Sequence, residues 1–132
     1  IAHQLGARAL VAHVVTTPSP RRVLSIFRRE DAERRAAAEE VAERVVEEAR
    51  ALAAELGAKA EAEIRVDPSA PEALLALARE HAVDLVVLGA NLRSFSGRPF
   101  LGHGVEYLLE KCESTVVVVS LPPGWGGAAR GA

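Results

Sequence analysis

Residues 88–104, LGANLRSFSGRPFLGHG, are the part of the chain whose residue types and spacing best suit chemistry. The segment leaves an apolar run at Gly89, crosses a stretch rich in Gly, Ser and Arg, and enters a helical pattern at Gly102. Glycine has no Cβ, so its backbone can approach a ligand closely and take positive φ. The first N–H groups of a helix have no partner within it, and the helix dipole favours negative charge there. Arg93 and Arg98 add guanidinium forks that match phosphate oxygens, with Gly97 between them. This is chemistry for holding a phosphate or a similar anion. A solvated loop is the competing reading of the two arginines.

Other chemistry is poorly provided for. His3, His13, His81 and His103 show no metal-ligand spacing, and there is neither a Gly-x-Ser-x-Gly elbow nor a P-loop. Asp84 opens a strand pattern and Glu106 lies on a helical one, so both read as structural. His13 interrupts an apolar run and reads as a hydrogen-bonded core histidine. The expectation is no catalytic residue and no metal site. One cysteine, Cys112, rules out an internal disulfide framework and reads as an inert thiol near a helix end.

Composition narrows the classes further. A chain of 132 residues makes one domain and buries roughly two-thirds of its unfolded surface. With three Phe, one Tyr and one Trp there are few rings on which bases could stack, and the net charge is −2, so general nucleic-acid binding is excluded. No apolar run approaches ~18 residues, and no signal-peptide pattern is present.

The elements around the glycine segment alternate. Residues 1–6, IAHQLG, read as the last turns of a helix stopped at Gly6, which suggests a chain cut or trimmed from something longer. Residues 8–15 and 84–89 are apolar runs of the kind expected for strands buried on both faces. Between them, 16–30 is a connector broken by Pro18 and Pro20. A helix from about Glu30 to Leu56 then carries Val41, Val45, Ala49, Leu52 and Leu56 as one apolar stripe. Glu30 with Arg34, Asp31 with Arg35, and Glu40 with Arg44 are acid-before-base pairs along it. Gly57 ends it. Residues 58–66 alternate, with Ala60, Ala62, Ile64 and Val66 inside and Glu61, Glu63 and Arg65 on a wet face, as in an edge strand. Ser69, Pro71 and Glu72 open a helix as N-cap, first-turn proline and capping-box partner, and Leu74, Leu75, Leu77 and Ala78 carry it to about His81. A helix over 103–112 and a β-branched strand over 114–120 complete the pattern, and residues 121–132 form a mobile tail. Strands joined through helices predict a doubly wound α/β fold, a parallel sheet with helices on both faces. Ligands of such sheets bind beyond the carboxyl ends of the strands.

Leu88-Gly89, then Gly102, a helix with Glu106, and "STVVVV" at 114–119 resemble the carboxy-terminal half of universal stress protein domains. "AHVV" at 12–15 and "AREHAVDLVVLGA" at 78–90 are similar to further family segments, so the likeness covers about residues 1–120. The resemblance implies a three-layer, adenine-nucleotide alpha-hydrolase-like fold whose first, central strand is missing here, leaving a break between the strands at 8–15 and 84–88. It also implies a regulatory domain that binds ATP or another adenine nucleotide. Carried over by position, Val14 lies beside adenine; Leu88, Gly89, Asn91, Arg93 and Arg98 belong to the phosphate loop; Gly102, His103 and Gly104 close it. Leu92 stands where the family has its second glycine, and His103 where it has a small hydroxyl residue.

"GRPFLGHGVEYLLE" is similar to forms found in universal stress domains appended to cation/proton antiporters and amino-acid permeases. That likeness implies a domain on the cytoplasmic side of a transporter, at the inner face of the membrane. A free-standing stress-response protein and a ligand-free homodimer paired through residues 115–120 are the alternatives. Lysine at Val118 is the expected way to split that dimer. Slow ATP hydrolysis is compatible with the resemblance. Arg21, Arg22, Arg28 and Arg29 could face anionic lipid, against the plainer reading of a solvated connector.

Overall fold

The computed structural model describes residues 1–17 and 28–120. They fall into two compact units, divided between Ala73 and Leu74.

The first unit begins with a single helical turn, α1 (Ala2–Leu5), stopped by Gly6 in the left-handed conformation at φ 61°, as the sequence predicts. The His3 ring rests on the far end of the next helix, with Nδ1 2.8 Å from the Gly57 carbonyl oxygen. Strand β1 (Ala9–Thr16) leads through the undescribed residues to α2 (Arg28–Glu55), which returns to β2 (Ala60–Asp67). β1 and β2 run parallel, in register from Ala9 opposite Ala60 to Thr16 opposite Asp67. Parallel neighbours need a crossover of this length, and α2 supplies it, packing on both strands. The sequence places these elements to within about two residues. The arginines at 21 and 22, and the prolines at 18 and 20, lie outside the described residues.

The buried face of α2 is not the one that periodicity selects. Val41, Val45, Leu52 and Leu56 are all exposed, Leu52 at 56%. The helix turns Ala42 and Val46 inward, both buried, with Ala49 and Ala53 half-buried beside them. The physical reason is size. Apolar residues are spread widely around this alanine-rich helix, and a face of small side chains lets the backbone approach the strands, where close packing is gained. Arg35 pairs forward to Glu39 at 2.8 Å, in base-before-acid order, instead of back to Asp31.

The strands are wetter than expected. β1 is half-buried along most of its length, with only Val15 fully enclosed, and His13 is half-buried rather than a core residue. On β2 the expected wet face is partly covered: Glu63 and Arg65 are half-buried and bonded to each other at 2.7 Å, while Val66 is exposed. The cause is that β1 and β2 form one two-stranded parallel sheet, and no ladder joins them to another parallel strand among the described residues. A strand with one neighbour cannot be buried on every side. The sequence's expected break in the sheet thus takes the form of separate parallel pairs.

α3 (Ala70–Glu80) starts at the end of the first unit and continues into the second. Ser69 occupies its N-cap position, its carbonyl accepting the Ala73 amide at 3.1 Å. Asp67, which the sequence reading passes over, anchors this turn by accepting the Ser69 amide at 2.8 Å. Leu75, Leu77 and Ala78 are buried as expected, and Leu74 is half-buried.

In the second unit β3 (Leu85–Ala90) pairs in parallel with β6 (Thr115–Ser120), which follows α4 (His103–Lys111). Ser114 Oγ donates to the Val83 carbonyl at 2.7 Å and ties the amino ends of the pair together. β3 and β6 alternate rather than being buried throughout: Val86, Leu88, Val116 and Val118 are half-buried, while Val87, Val117 and Val119 are exposed. No helix among the described residues is long and apolar enough to cross a membrane. The tail at 121–132 lies outside the described residues.

Candidate functional site: the glycine loop

The 88–104 loop contains structure that the sequence reading treats as plain loop. Two short antiparallel strands, β4 (Arg93–Phe95) and β5 (Arg98–Phe100), form a hairpin. Its tip is Ser96-Gly97, both with positive φ, at 50° and 75°. Two consecutive positive φ values are what a tight hairpin turn of right-handed twist requires. Gly97 therefore has a turn to explain it. The signal was present in the Ser-Gly dipeptide flanked by Arg-Ser-Phe and Arg-Pro-Phe, an alternation easily missed in strands so short.

Leu88 and Gly89 end β3 opposite Val118 and Val119 of β6, so they stand at the carboxyl end of a parallel pair. A methyl group at Gly89 would meet no described residue within 4 Å beyond its chain neighbours, and the residue is exposed. Asn91 and Leu92 follow, also exposed. Past the hairpin, Gly102 is the N-cap of α4 with φ 103° and ψ 148°, a conformation essentially confined to glycine. The first helical bond runs from the Glu106 amide to the Gly102 carbonyl at 3.0 Å. The amides of His103, Gly104 and Val105 precede it and have no acceptor within the helix. His103 is exposed, and its ring meets Phe100 edge-on, with centroids 4.9 Å apart and planes at 70°. Gly104 is half-buried in the first turn.

A family model for the universal stress protein family matches residues 1–120. The chain belongs to the universal stress protein family. Among solved structures it is similar to universal stress protein UspA from Lactobacillus plantarum, with a TM-score of 0.76 and 20% identity over 89% of this chain and 81% of that one. It is also similar to a universal stress protein from Archaeoglobus fulgidus, with a TM-score of 0.63 and 18% identity over 90% and 80%. At such identities the structures speak for the fold. No curated protein sequence matches the chain.

In this universal stress protein domain, the structure places two of the departures from the pattern that the resemblance implies, Leu92 and His103. Positive φ among the described non-glycine residues occurs at Ala82 and Ser96, so the backbone at Leu92 does not ask for glycine. Leu92 is 55% exposed, and His103 is turned onto Phe100. Leu88, Gly89, Asn91, Arg93, Arg98, Gly102, His103 and Gly104 lie in one continuous segment of the second unit. Val14 lies in the first unit, on β1, half-buried and opposite Arg65. A separate open hollow of about 560 Å³ lies at the amino ends of β3 and β6, edged by Arg79, Asp84, Cys112 and Glu113. That is the wrong end of a parallel pair for the loop chemistry.

Proposed function

We propose that this universal stress protein domain is regulatory and binds ATP or another adenine nucleotide, with the phosphates on the 89–104 loop. The observation that carries the reading is Gly102, held in a glycine-only conformation at the start of a helix whose first amides have no acceptor within it. Two features support it. Gly89 leaves open space where a side chain would stand, at the carboxyl end of β3. From Leu85 to Val105 there is no carboxylate, although the chain holds 18 Asp and Glu. The residues present thus fit a phosphate group. Titration calorimetry with ATP should give a saturable heat, and no heat at millimolar nucleotide overturns the reading. Phosphate release above background would show catalysis and overturn the regulatory part.

In this reading the domain serves a cation/proton antiporter or a related transporter from the cytoplasmic side. The likeness of residues 97–110 to transporter-appended forms supports this. The coding sequence upstream of Ile1 tests it, since hydrophobic spans there are required.

A second role is favoured by β6. Among the described residues its one ladder partner is β3, and unprotected strand edges invite pairing. We propose a homodimer through residues 115–120. The structure moves the test away from Val118, which is half-buried, so that lysine there would disturb the fold. Val119 is 45% exposed. Val119→Lys should convert a dimer to a monomer by light scattering with little change in melting temperature, and a variant still dimeric removes this route.

A further inference from the structure

We draw no further inference here: the strongest candidate, the exposed apolar stripe of Val41, Val45, Leu52 and Leu56 along α2, is an unpartnered helix face, and nothing in the structure shows what covers it.

Discussion

Val46→Asp should unfold the first unit, and Val45→Asp, one residue away, should barely be felt. Val46 is 3% exposed on the face of α2 that packs against β1 and β2, whereas Val45 is 39% exposed. A carboxylate placed at Val46 loses its hydration, and Arg50, one turn further along α2, is already engaged with Glu47 and the Ala60 carbonyl. Burial of an unpaired charge belongs to the mechanisms that cost about 4 kcal/mol or more. Against a typical stability of about 5–15 kcal/mol, that removes most of the margin. At Val45 the new charge stays in water, and the change should lie within about 0.5 kcal/mol. Urea denaturation followed by circular dichroism separates the two cases. Equal losses at both positions would mean that the stripe Val41, Val45, Leu52 and Leu56 is the buried one after all.

Gly102→Val is the second large effect, and it acts on backbone before ligand. At φ 103° and ψ 148° a β-branched residue has no comfortable conformation, and the strain is about 1–3 kcal/mol. Relief requires turning the N-cap, which also re-aims the amides of His103 and Gly104. The variant should therefore melt earlier and lose ATP-induced stabilisation in thermal shift. Gly89→Ala is its counterpart. Among the described residues other than its chain neighbours, none lies within 4 Å of the added methyl, and φ there is not positive. Stability should hold, while a nucleotide lying against Gly89 would be displaced. If Gly89→Ala binds ATP as the parent does, phosphate does not approach that residue.

Much of the fold can be read from residue order. Gly6 and Gly57 mark helix ends with positive φ, and α2, α3, α4 and the longer strands fall close to their expected positions. These are local matters of a Cβ that a left-handed residue cannot carry and of apolar runs of strand or helix length. The hairpin at 93–100 was less legible, because three-residue strands give periodicity almost nothing to repeat. The candidate site was legible in part. Glycines 89 and 102 and the two arginines stand out by type, whereas the pairing of Arg93–Phe95 with Arg98–Phe100 follows only from the structure.

The amino-acid sequence by itself determined the alternation of strands and helices, and with it the α/β class, because each element's hydrophobic pattern and stop signals are contained within it. It also determined that a carboxylate-free glycine segment joins a strand to a helix. Tertiary structure decided which face of α2 is buried, how many neighbours each strand has, and that the Phe100 ring meets His103. Those outcomes depend on what packs opposite. A half-apolar helix has several faces that could be buried, and only the close approach of Ala42 and Val46 to the strands selects one.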